Sequence, residues 1–185
     1  MSKDNGKKTS CSEVRIKGLL DENGIKISEK QGLDELSSRG YGTTGDDGLF
    51  LTFYEAMYLM DKGLVEVEND KGELVDFEEL LRHYEVVDEN AWTQYLTYRD
   101  LRSRGYVVRG GFGWGVDFRV YKRGEYRKDT AKYLVLSMQE GKPTSPEILN
   151  RVLKHSRSLK KELILAVMNR RGEIVYYSIS QLTLK

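Results

Sequence analysis

The sequence predicts an α+β protein built in two parts: a small mixed α/β domain over residues 1–90, then an α/β domain over residues 91–185 with a mixed sheet and flanking helices. Three observations lead there. Short β-type runs bounded by Gly, Asn and Asp alternate along the chain with stretches that carry helix caps. The 185 residues, 39% hydrophobic and 32% charged, suffice for compact cores and are too apolar for a disordered chain. The charge balance also reverses near residue 90. Glu66 to Asn90 carries ten acids against Lys71 and Arg82, whereas Thr97 to Lys132 carries ten bases against four acids.

In the first part, Glu13–Ile27 reads as a hairpin turning at Asp21-Glu22-Asn23-Gly24. Gly40–Gly48, with four glycines and two aspartates, reads as a loop. Leu49–Leu51 is a short strand. Thr52 then caps a helix, with Glu55 completing a capping box, Phe53, Ala56, Met57, Leu59 and Met60 on its apolar face, and Gly63 just past its end. Leu64–Val67 and Glu73–Val75 flank Asn69-Asp70-Lys71-Gly72, a second hairpin signal. Asp76 and Glu79 repeat the capping logic for a short helix to about Tyr84.

In the second part, a longer helix starts at Asp88, passes Trp92, Tyr95, Leu96 and Leu101, and closes at Gly105. Strands follow at Tyr106–Arg109, Val116–Lys122 and Lys132–Gln139. Ser145-Pro146 opens a helix, serine as cap and proline in the first turn. That helix carries the basic run Arg151, Lys154, Arg157, Lys160 and Lys161, which no acid interrupts. Glu162–Met168 and Glu173–Ile179 form a last hairpin around Asn169-Arg170-Arg171-Gly172. No internal repeat or low-complexity tract stands out.

Composition excludes several classes. No apolar run approaches the roughly 20 residues that cross a bilayer, and the start, MSKDNGKKTS, is polar and unlike a signal peptide. The single cysteine, Cys11, cannot form an internal disulfide, which fits a reducing cytoplasm. Net charge is +1, so the total is silent about nucleic acid, but an acidic first half and a basic second half suit a second half that faces phosphate. A solvated helix face is the bland reading of Arg151–Lys161.

The motifs narrow the function. YRDLRSRGYVVRGG (Tyr98–Gly111) precedes Gly115-Val116-Asp117-Phe118-Arg119-Val120-Tyr121. Ala131-Lys132-Tyr133-Leu134-Val135, Arg157–Leu163, Ala166-Val167 and Val175-Tyr176-Tyr177 follow in order, and Leu51–Val67 (LTFYEAMYLMDKGLVEV) lies in the first part. In this order the chain resembles the archaeal tRNA-splicing endonuclease family over most of its length. The resemblance implies a nuclease-like second domain. It also implies removal of introns from precursor tRNA at a bulge-helix-bulge, with no cofactor and no metal. In that chemistry a ribose 2′-hydroxyl attacks the neighbouring phosphate, leaving a 2′,3′-cyclic phosphate and a 5′-hydroxyl. A base takes the 2′ proton, an acid gives one to the leaving oxygen, and a cation steadies the phosphorane. The family uses a tyrosine, a histidine and a lysine. Tyr121 matches the tyrosine and Lys161 the lysine, while Thr130 stands at the histidine position.

A threonine hydroxyl releases no proton near neutral pH, where an imidazole of pKa about 6.5 does. The chain's two histidines are His83, in the acidic half, and His155, on the basic helix six residues before Lys161. Continued helix would turn His155 roughly 120° from Lys161. The expected role is therefore a structural subunit that pairs with a catalytic subunit of the same family in a heterotetramer, with Arg151, Lys154, Arg157 and Lys160 touching RNA. The alternatives are a catalytically competent homo-oligomer and a non-catalytic RNA-binding protein. Family members commonly carry an acidic turn between the last two strands that docks on a neighbouring subunit. Here that turn is basic, and the final strand, with Val175, Tyr177 and Ile179 on one face, is the expected pairing edge.

Overall fold

The computed structural model describes residues 15–113 and 115–181, with only the backbone of Gln31 and Phe112. Eleven strands and five helices form two mixed sheets among the described residues. The first sheet contains β1 (Ile16–Asp21), β2 (Gly24–Ile27), β3 (Thr43–Gly45), β4 (Gly48–Leu51), β5 (Val65–Glu68) and β6 (Leu74–Val75). Its order is β3-β4-β2-β1-β5-β6, with β1 and β5 parallel and the other pairs antiparallel. The second contains β7 (Val107–Gly113), β8 (Val116–Tyr121), β9 (Tyr133–Gln139), β10 (Glu162–Met168) and β11 (Ile174–Ile179), in the order β11-β10-β9-β8-β7. Only β9 and β10 run parallel there, because helix α5 (Pro146–Ser158) carries the chain back between them.

The capping signals hold. Helix α2 (Phe53–Asp61) begins with the Thr52/Glu55 box, and Asp76 Oδ1 accepts from the Glu79 N–H at 2.8 Å to start α3 (Phe77–Val87). Ser145 caps α5 ahead of Pro146. Four expectations need correction. Helix α1 (Lys30–Ser38) was not foreseen, since its start has neither a side-chain cap nor an acidic first turn. The Gly40–Gly48 segment is no mere loop: β3 pairs with β4 there and turns at Asp46-Asp47, because Gly45 and Gly48 close a tight hairpin. The long helix α4 (Ala91–Ser103) starts after Asn90 rather than at Asp88, whose Oδ1 instead accepts from the Asn90 N–H at 2.7 Å. Helix α3 also runs past Tyr84 to Val87. Cys11, Glu13 and Val14 lie outside the described residues.

One apolar core runs from Ile16 on β1 to Met168 on β10. Its centre is aromatic. Tyr54 of α2 lies 4.9 Å from Tyr98 of α4 and 5.1 Å, edge-on, from Phe118 of β8, so α2 and α4 join the two sheets. A smaller cluster of Val116, Leu134, Val152 and Leu163 seats α5 on the opposite face of the second sheet.

A buried polar network closes the joint. Gln94 of α4 donates through Nε2 to Asp88 Oδ2 at 2.8 Å and to Asp117 Oδ1 at 3.1 Å, while its Oε1 accepts from the Tyr84 hydroxyl. The Ser137 N–H donates to Asp117 Oδ2 at 2.6 Å. Burial outweighs those bonds and pushes the Asp117 carboxyl up to about 6. An acid whose folded pKa is raised favours the fold while protonated and loses that advantage as pH climbs through 6. Asp117→Asn removes this titration. Relative to the asparagine variant, the native chain should lose on the order of 3 kcal/mol of unfolding free energy between pH 4 and pH 7. Paired urea titrations across that range measure it, and parallel pH profiles would refute the assignment.

Candidate functional site

Strand register brings distant residues to one sheet end. Val120 of β8 faces Tyr133 of β9, and Tyr133 faces Glu162 of β10. The Lys132 N–H donates to Val120 O at 3.0 Å, and the Glu162 N–H donates to Lys132 O at 3.1 Å. Tyr121 at the end of β8, Thr130 before β9 and Lys161 before β10 therefore meet at the same edge. Lys161 Nζ donates to Thr130 Oγ1 at 2.5 Å, and the Thr130 N–H donates to Asp129 Oδ1 at 2.6 Å. The Tyr121 ring packs edge-on against Tyr126, 5.1 Å between centroids.

Lys161 does not continue the helix, which corrects the rotational argument for His155. Helix α5 stops at Ser158. The Lys160 N–H donates to Arg157 O and the Lys161 N–H to Ser156 O, a Schellman pair of bonds with Lys160 in the left-handed position at φ 54°. This sharp exit aims Lys161 at Thr130. His155 instead lines a shallow hollow on α5 with Arg151, Lys154 and Ser158. His83 sits on α3, in an acid-lined hollow of the first sheet with Asp21, Glu22, Asp70 and Glu79. Neither histidine is at the sheet end. Among the expected RNA contacts, Arg151 and Lys154 share the hollow, Arg157 donates to the Gln181 side chain, and Lys160 stands at the turn beyond the helix. All four are exposed. Among the described residues, no group of three or more His, Cys, Asp and Glu is arranged to hold a metal ion, and no described helix is long and apolar enough to cross a membrane.

The site loop, residues 122–130, is anchored on the first half by a device the sequence reading missed. Helix α1 has no basic residue in its last turn, so cations come from elsewhere. Arg127 donates to Ser37 O at 2.9 Å, Arg102 to Arg39 O at 3.1 Å and Arg109 to Gly40 O at 3.1 Å. Gly40 takes φ 75°, and a Cβ there would lie 2.8 Å from Val107 and 3.0 Å from the Tyr126 ring. Arg109 also lies 3.5 Å from the fully buried Glu55, whose carboxyl burial pushes upward and which accepts from the Gly42 and Thr52 N–H groups at 3.1 and 3.0 Å. The three arginine bonds to the carbonyls of residues 37–40 join positions 63–90 apart, and no local pattern announces them.

A family model described as the N-terminal domain of tRNA intron endonuclease matches residues 16–81, and one described as its catalytic C-terminal domain matches residues 91–176. The chain belongs to the tRNA intron endonuclease family. Among its relatives, a protein named tRNA-splicing endonuclease from Methanococcus vannielii is 35% identical over 169 residues, 91% of this chain and 96% of that protein. Another of that name, from Pyrococcus horikoshii, is 32% identical over 143 residues, 77% of this chain and 82% of its own. A third, from Methanococcoides burtonii, is 33% identical over 161 residues, which is 86% of this chain and 45% of the longer relative. In family terms, Tyr121, Thr130 and Lys161 all lie inside the segment that matches the catalytic C-terminal domain.

The left-handed Lys160 supplies a check on how Lys161 is aimed. A non-glycine residue there costs about 1 kcal/mol. Lys160→Gly should raise unfolding free energy by about that amount in urea or thermal melts. A loss of stability would mean the Lys160 side chain holds the turn.

Proposed function

We propose that this chain is a subunit of a tRNA-splicing endonuclease and serves as the structural partner of a catalytic subunit. One observation carries the reading. Where the chemistry needs an acid for the departing 5′ oxygen, the sheet end offers the Thr130 hydroxyl, occupied by Lys161 Nζ at 2.5 Å. General acid catalysis contributes typically ~10²–10⁴-fold, so the chain by itself is a poor nuclease. The retained Lys161 and the basic face of α5 still suit RNA phosphate.

Partner assembly is supported by the outer edge of the second sheet. Among the described residues, strand β11 ends it with its second edge unpaired, and Val175 and Tyr177 are 42% and 53% exposed. The turn before it, Asn169 to Glu173, projects Arg170 and Arg171, so it suits an acidic neighbour rather than a basic groove. The competing reading, a self-sufficient homo-oligomer, has one point in its favour: the Methanococcus relative has nearly this length and is itself named an endonuclease.

Cleavage of a bulge-helix-bulge precursor tRNA separates the two. The purified chain should leave the RNA intact. Mixed with a histidine-bearing family member, it should co-elute in a complex of four chains and yield cyclic-phosphate ends. Rapid cutting by the chain alone, with nuclease contamination excluded, would end the structural reading. Thr130→His tests the site itself. It should give the chain measurable cleavage in that complex when the partner's own histidine is removed. Silence there would mean that the site has been lost at more than one residue.

A further inference from the structure

We propose that a tyrosine-lined hollow on the sheet face opposite α5 binds a base of the RNA, with neighbouring cations on its phosphate. This rests on the reading that the chain works on precursor tRNA, and adds a contact surface to it. The hollow is about 290 Å³. Val120 and Val135 form part of an apolar floor, Tyr106, Tyr133 and Tyr176 stand around it, and Arg104 lies at its rim.

The side chains suit a flat ring with an attached anion. Each tyrosine carries a cation over its ring: Arg123 at 5.8 Å from Tyr106, Arg104 at 5.6 Å from Tyr176, and Lys132 at 5.1 Å from Tyr133. Two of these charges are already balanced, Arg104 by Asp100 at 2.8 Å and Lys132 by Glu162 at 3.0 Å. Arg123 has no carboxylate partner among the described residues; its guanidinium donates to the Arg104 carbonyl. An uncompensated cation over one of the tyrosines of an aromatic, apolar hollow favours a nucleotide over a neutral hydrophobic side chain.

Position supports the same occupant. Side chains alternate across a strand, so Tyr133, Val135 and Val120 face this hollow while Leu134 faces α5. Both surfaces flank the sheet end where Tyr121, Thr130 and Lys161 meet. RNA laid across that end can touch the α5 cations on one side and reach the hollow on the other. All three tyrosines lie inside the quoted motifs, but they come from three different strands or their approaches, so sequence order did not reveal that they share one hollow.

The test uses the chain assembled with its catalytic partner and a precursor tRNA whose bulges carry thiouridine. Ultraviolet crosslinking should join RNA to peptides containing Tyr106, Tyr133 or Tyr176. In fluorescence anisotropy, Tyr106→Leu and Arg123→Gln should each weaken binding about 5- to 100-fold. Tyr106→Phe, which keeps the ring, should stay within about twofold of the native chain. Circular dichroism and an unchanged complex mass certify folding, and Arg123→Gln, an exposed change, remains decisive if Tyr106→Leu does not fold. Crosslinks confined to α5, with unaltered affinity in Arg123→Gln, would overturn the hollow while leaving RNA binding standing. Crosslinks confined to the partner protein, with unaltered affinity in Arg123→Gln, would overturn it too. Failure of the native complex to bind the RNA at all would remove the hollow and the tRNA reading together.

Discussion

Everything at the candidate site depends on the register of three neighbouring strands. β8 pairs with β9 in antiparallel fashion and β9 with β10 in parallel, both through Tyr133. The end of β8 and the starts of β9 and β10 are thereby forced to one edge, although Tyr121 and Lys161 are 40 positions apart. A slip by one residue would send Tyr133 and Val135 to the α5 face and expose Leu134. The apolar clusters on the two sheet faces forbid that slip, so the geometry of the site is a by-product of core packing. Parallel pairing of β9 and β10 needs a crossover, and α5 is that crossover. Its basic face is therefore delivered to the site's neighbourhood by topology.

A second constraint sits at the end of α1. The negative end of a helix attracts cations, and here Arg127 donates to Ser37 O in the last turn while Arg102 and Arg109 donate to Arg39 O and Gly40 O just beyond it, all three from the second half. Arg127 pays for its place with a left-handed backbone at φ 67°. The neighbouring Tyr126 touches Tyr121 on one side and the Gly40 turn on the other. The first half thus sets the loop that leads from Tyr121 to Thr130. This gives the small first sheet a mechanical role at the site even though it contributes no reacting group.

Much of the fold was legible because it is written locally. Thr52 with Glu55, Asp76 with Glu79, and Ser145 before Pro146 each satisfy orphan backbone donors within one turn, so the signal and the structure occupy the same few residues. Helix α1 carries no such signal, and its stability comes from the arginines and from Leu36 buried in the core. The β3–β4 hairpin was hidden because glycines that read as a loop also make a tight strand turn. The two turns read as hairpin signals share a finer pattern. Asn69–Glu73 and Asn169–Glu173 share the pattern Asn-X-X-Gly-Glu, and in both the asparagine Oδ1 accepts from the third and fifth residues while its Nδ2 donates to the glutamate. The same five-residue clamp ends a hairpin in each sheet, acidic-and-basic in one and doubly basic in the other. Tyr121, Thr130 and Lys161 were singled out through the family resemblance, whereas their meeting is a property of the sheet.

The contact between Lys161 and Thr130 is how a lysine is held at this sheet end with no histidine beside it. A lysine left alone at a sheet end keeps its charge in water and has no reason to hold one rotamer. A hydroxyl accepts a hydrogen bond without adding charge of its own, so Thr130 Oγ1 steadies the Lys161 ammonium. An imidazole in that place would bring a second titratable group, and each positive charge would resist the other. On the proposal that this chain is a structural subunit, threonine at 130 avoids that repulsion and leaves the Lys161 cation available to phosphate.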